Sequence, residues 1–268
     1  MSSPPSSQSA PHRHHTAAGI DVELVPFAQL GNAQFDAWLD LERHALDGNP
    51  FCSLHHVRAA ALHLRSATPP QVLLIWSGSQ LLGLSVLEAT LSTKYLPLPH
   101  LRLWSTEHTF LDGLLLRRNQ AYTASDALWD FLMRGRHPWH GMEFSQAPVD
   151  SPTFAALFAT ADEWNVPVWK GPKYERASLI PRTAGPNRLV TSTSIGRARS
   201  LRKGHRQLEK FGEVRFEIID SGQDLGTATN ELLRLEALGW KSDCGTALSA
   251  SEHGDSYFRV TTRKKKGH

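Results

Sequence analysis

Six cations, Arg197, Arg199, Arg202, Lys203, Arg206 and Lys210, fall within fourteen consecutive positions, and a single acid, Glu209, accompanies them. A guanidinium fork matches the oxygens of a phosphate, and a lysine ammonium adds a compact point charge. The chemistry on offer is therefore capture of an acidic ligand or cofactor. Nucleic acid would also answer to such charge, through release of its counterions. The run lacks the interleaved aromatic side chains on which bases stack, which argues against that partner. The plain alternative is a solvated helix face with no ligand at all.

Other patterns carry less. Ser200-Leu201-Arg202-Lys203 has the S-x-x-K spacing of some serine acyl-transfer enzymes, but no companion motif accompanies it. Gln223-Asp224-Leu225-Gly226-Thr227-Ala228 has the form of a phosphate-cradling loop. Asp224 opposes an anion there, and one glycine gives little room for close backbone approach, so a strand–helix corner is the simpler reading. Trp240-Lys241 with Gly245-Thr246 forms either an acceptor-site corner or a helix end covered by an indole. The histidines at 55, 56, 137 and 140 show no zinc-ligand spacing. His12, His14 and His15 lie in a Ser/Pro-rich opening segment that reads as a solvated, disordered tail over residues 1–19.

Composition sets the frame for these residues. The 268-residue chain is 40% hydrophobic and 21% charged, as expected of one or two globular domains. Net charge is only +3, but it is unevenly placed. Residues 182–268 hold 16 Lys and Arg against 10 acids, whereas residues 1–181 hold 13 against 16. The positive field belongs to the C-terminal third. Two cysteines exclude a disulfide framework, and no apolar run of about 18 residues offers a membrane span. With no secretory leader in the opening segment, a cytoplasmic protein without a metal site is expected.

Elements that could position the cations follow from periodicity. Residues 20–25 alternate as a strand, and residues 33–47 carry Phe35, Trp38, Leu39 and Leu41 on one helical side. Gly48-Asn49-Pro50 stops that helix, and a second follows from His55 to about Leu64. Two apolar runs, 72–76 and 81–87, flank Ser77-Gly78-Ser79-Gln80 as a hairpin of buried strands. Short strands are expected at 101–104, 113–116, 141–144 and 174–180, with helices at 124–134 and 152–163. Residues 181–186 break the pattern as a linker. Beyond it come the basic helix 194–210, a strand 214–218 and a helix 228–238 ending at Gly239. Interleaved helices and strands predict a mixed α/β (α+β) fold, divided into domains at 20–185 and 186–268.

The C-terminal residues also resemble a family. Arg202, Lys203, Arg206, Leu208, Glu209 and Gly212, then Val214 and Phe216, then Leu232, Leu233, Leu235, Glu236, Gly239, Trp240, Lys241, Gly245, Thr246, Ala247 and Leu248 are similar to the motif of GNAT-type acyltransferases of the CelD-like group. Asn49-Pro50-Phe51 and Asp112-Gly113 look like that group as well. The resemblance implies tandem GNAT-like domains akin to FemAB-like proteins, and an enzyme linked to cellulose or exopolysaccharide synthesis. Its donor would be acetyl-CoA or another acyl-CoA, and its acceptor an amine on a small molecule or glycan precursor. The donor pocket would be built by strands following Leu248, so the second domain is expected to be incomplete, with inactivity of the chain alone as one outcome. No catalytic residue transfers. The substrate- or anion-binding candidates are Arg197, Arg202, Lys203, Arg206, Trp240, Lys241, Gly245 and Thr246. Two alternatives stand beside this reading: a FemAB-like transferase that takes its aminoacyl group from charged tRNA, and a non-catalytic anion-binding module.

Overall fold

The computed structural model describes residues 11–64, 68–176, 195–215, 217, 219 and 225–262, without the side chains of 195–198. It is a mixed α+β fold around one curled sheet. Strands β1 (His12–His15), β2 (Asp21–Pro26), β3 (Gln71–Ser77) and β4 (Gln80–Thr90) pair antiparallel in sequence order. Beyond β4, strand β5 (His100–Leu103) and the two-residue β6 (Leu115–Leu116) both pair with it antiparallel, along different stretches. Strand β7 (Met142–Glu143) then adds parallel to β5, the one parallel pairing among the described strands.

Alternation sorts the strand side chains onto two faces. Val22, Leu24, Leu73, Ile75, Leu82, Leu101 and Leu116 face one core, with helices α3 (Ala121–Arg134) and α4 (Pro152–Glu163) over it. Val25, Val72, Leu74, Leu84, Val86 and Leu115 face the other, under α1 (Asn32–His44) and α2 (Leu54–His63). The β3–β4 hairpin turns at Gly78, whose φ of 56° suits the left-handed region that glycine occupies without strain. Register then slips, because Ile75 pairs with Gly83 but Trp76 pairs with Leu81, leaving Leu82 as an extra residue. The carbonyls freed beside that bulge accept hydrogen bonds from Arg117: its Nε reaches Leu81 at 3.0 Å and its backbone N–H reaches Leu82 at 2.7 Å. Gly83 sits at a close approach, since a Cβ there would stand 3.0 Å from Ile75 Cδ1 and 3.2 Å from Leu116 Cδ2, and both methyls would have to give way.

Helix starts follow capping rules. Ser53 accepts from the His56 N–H and Ser151 from the Phe154 N–H, with Pro152 opening α4. Among the described residues the remaining α-helices are α5 (Ile195–Glu209), α6 (Leu225–Ala237), the single turn α7 (Trp240–Asp243) and α8 (Glu252–Thr262). The described residues fall into two compact units, one within Met1–Val168 together with Gly226–His268, the other within Trp169–Leu225. The boundary expected at residues 185 and 186 lies outside the described residues. Helix α8 belongs to the sheet-bearing unit because Tyr257 is buried with the residues of α2, and Val260 packs beside it.

Two expectations are corrected. Residues 12–15 are not a disordered tail but the border strand β1, ordered by pairing to β2 from His12–Leu24 to His15–Asp21. Their alternate rings are also engaged. His12 meets Trp139 edge-on at 4.6 Å, and His14 lies 3.2 Å from the buried Asp130 carboxylate. Residues 174–176, 214, 215, 217 and 219 carry no strand pairing. The linker at 181–186 and positions 177–180, 216 and 218 lie outside the described residues, as do residues 223 and 224 of the candidate phosphate loop.

Candidate functional site

Helix α5 carries the cationic run as a stripe. At 3.6 residues per turn, Arg199, Arg202, Lys203, Arg206 and Lys210, the last just past the helix end, fall within an arc of roughly 100° over about 16 Å. With Gln207 they line an open recess on the helix surface. All five cations are exposed. Glu209, the one acid in the run, borders the stripe near Arg202 and pairs with His205 at 3.3 Å, an i, i+4 contact. Among the described residues no carboxylate comes within ion-pair distance of Arg199, Arg202, Lys203 or Arg206, and Lys210 touches only the Gln207 side chain, at 3.4 Å. The arrangement can neutralise an extended anion. It offers no general base. The side chain of Arg197 lies outside the described residues.

The second group of candidates serves a corner of the chain. Glu236, near the end of α6, accepts from Lys241 Nζ at 2.6 Å through one oxygen and from the Leu248 N–H at 2.9 Å through the other. The hydrogen bond from Lys241 holds the Glu236 carboxyl below the usual glutamate range. Gly245 adopts φ 66°, and the Thr246 N–H closes the turn on the Lys241 carbonyl at 2.8 Å. So the spacing from Leu235 to Leu248 is explained by a helix end clamped to the loop that follows it. Trp240 does not cover that end, because its side chain is 70% exposed. This corner belongs to the sheet-bearing unit and the cationic stripe to the other; each stands as its own candidate.

Two polar clusters in the sheet-bearing unit escaped the sequence reading. In the first, the Tyr257 hydroxyl of α8 lies 3.0 Å from Nδ1 of His56 on α2, and the His108 ring stacks on Tyr257 at 4.9 Å. Phe51 meets His56 edge-on at 5.3 Å. Residue His56 is 9% exposed, and its Nε2 has no hydrogen-bond partner. Burial, then repulsion from His108 and His55, pushes its pKa down to about 4. In the second, fully buried His100 donates from Nδ1 to the Leu98 carbonyl, 2.7 Å away, so that nitrogen carries the proton. Its Nε2 then faces Glu143 of β7 at 3.4 Å, within ion-pair reach but outside hydrogen-bond alignment. Thr93 donates to the same Glu143 oxygen at 2.5 Å. Beside it, Asp112 accepts the N–H groups of Ser145 and Gln146 at 2.6 and 2.9 Å, fixing the segment after β7. A helical or strand period could not announce either cluster, since their members lie far apart in sequence.

Among the described residues, no group of three or more His, Cys, Asp or Glu side chains could hold a metal ion. No described helix is long and apolar enough to cross a membrane. Comparison with protein-family models, with curated proteins and with solved structures finds no match to this chain.

Proposed function

We propose that the chain is a GNAT-type N-acyltransferase, moving an acyl group from acetyl-CoA or another acyl-CoA to an amine in envelope, cellulose or exopolysaccharide synthesis. The observation that carries the proposal is the order of elements over residues 21–163: strand, two helices, antiparallel strands, helix, strand and helix around one sheet. That order is taken as a GNAT-like unit, so the proposal seats the donor in this unit and not on strands following Leu248. Near the parallel β5–β7 pairing, the part-buried Glu143 carboxylate is a residue type able to act as a general base, with fully buried His100 behind it able only to position it. Titration calorimetry with acetyl-CoA, followed by thiol release on adding amino sugars, tests the reading. Saturable donor binding and amine-dependent release are expected; absence of both overturns it.

A second reading is favoured by the unpaired cations of α5. It is an anion-binding module that performs no chemistry, and retention on heparin without acetyl-CoA binding would select it. Under the aminoacyl-transfer alternative, charged tRNA would be the donor and its affinity would fall steeply with salt.

A further inference from the structure

Helix α5 carries its described cations on one side and two leucines on the other, the backbone position of Arg197 falling on the leucine side. Opposite the stripe that runs from Arg199 to Lys210 stand Leu201 and Leu208, 65% and 58% exposed. Phe211, two residues past the helix end, is 90% exposed. Its other described side chains also lie open, with only His205 half-buried. A polyanion in water would satisfy the cations and leave the leucines and the phenylalanine wet. A purely apolar surface would do the reverse and strand four or five charges. A bilayer interface answers both sides of the helix at once, because apolar side chains enter the acyl boundary while Lys and Arg meet anionic headgroups.

We infer that α5, with Phe211, is a peripheral docking element for an anionic lipid surface. The inference deepens the reading of α5 as an anion-binding module and is independent of the acyltransferase proposal. The helix lies along the interface, with Leu201, Leu208 and Phe211 seated below the headgroups. Arg199, Arg202, Lys203, Arg206 and Lys210 stay among the phosphates, their long stems letting the charged heads reach water. No span is involved, consistent with the absence of a long apolar helix among the described residues. Binding depends on charge and on apolar insertion together, because either one alone gives marginal, reversible attachment.

The full chain tests this by flotation with vesicles of phosphatidylcholine carrying roughly one-third phosphatidylglycerol, against phosphatidylcholine alone. The protein is expected to float with the anionic vesicles and to partition at least roughly tenfold less onto neutral ones. Two double variants at exposed positions, Arg202→Glu with Arg206→Glu and Leu208→Ser with Phe211→Ser, should each lower partition by about tenfold or more. Unchanged far-ultraviolet circular dichroism would show that both remain folded. Failure to float overturns the inference. So does undiminished flotation of the Leu208→Ser, Phe211→Ser protein, which would leave a simple polyanion contact. Release from vesicles by a short RNA that binds more tightly would also overturn it and point to nucleic acid. Heparin retention separates the two levels: a chain that holds heparin through Arg202 and Arg206 yet ignores vesicles keeps the module reading and loses the lipid surface.

Discussion

His56 shows how one buried ring can set a pH dependence. Its surroundings, Tyr257, His108, Phe51 and the start of α2, give a proton no carboxylate to pair with. The ring resists protonation until about pH 4, whereas an unfolded histidine takes up its proton near 6.5. Between those values the unfolded chain binds more protons, so this group makes stability fall as pH drops from about 6.5 to about 4, and the loss is complete below that. The contribution is on the order of 3 kcal/mol. Urea unfolding at a series of pH values should show this slope in the parent and a shallower one in His56→Gln. An equal slope in both would remove His56 as its cause. Nothing in the sequence flags the residue, because His55 and His56 look alike there. Only the fold turns one toward Tyr257 and leaves the other at the surface, near the Thr261 carbonyl.

At the scale of elements, α8 is held chiefly by one side chain, with Val260 packed beside it. Tyr257 is its buried aromatic, and the rest of the helix is largely polar. Tyr257→Ala would remove that packing and leave His56 Nδ1 without its partner, at a cost of about 3–5 kcal/mol. Hydrogen exchange across residues 252–262 should then accelerate strongly while β3 and β4 stay protected; uniform acceleration would mean that α8 is integral to the global fold. The elements that sequence did reveal are those with strong local signals. The β3–β4 hairpin has two apolar runs around Gly78, α4 has Ser151-Pro152 at its start, and α1 has its Trp38 and Leu41 face. The bulge at Leu82 was hidden because a leucine suits either side of a doubly covered sheet. Strand β1 was hidden because its order is borrowed from β2, Trp139 and Asp130 and does not arise from its own composition. Of the candidate site residues, the stripe on α5 was legible from spacing alone. The role of Lys241 was not, because its partner Glu236 and the Leu248 N–H come together only when the loop closes.

Across the molecule, buried apolar packing is shared unequally among the described residues of the two compact units. The sheet-bearing unit holds both hydrophobic cores, whereas the described side chains of α5 contribute to neither. A helix of 15 residues without a packed face is only marginally stable in water. Native-state hydrogen exchange should therefore be roughly a thousandfold faster in α5 than at the centre of β4, and anionic vesicles should narrow that gap. Equal protection in both, with no lipid present, would show that α5 is held by something other than its own backbone.

The border strand β1 has a practical consequence for anyone handling this protein. A tract reading His-Arg-His-His invites capture on a nickel-charged resin, yet His12 and His14 are turned inward against Trp139 and Asp130, and His15 is tied to Asp21. Only His15 stays at the surface; to chelate through His12 and His14 as well, the resin would have to unzip the sheet from its margin. The tract would then act as a handle for the denatured chain and a poor one for the native fold.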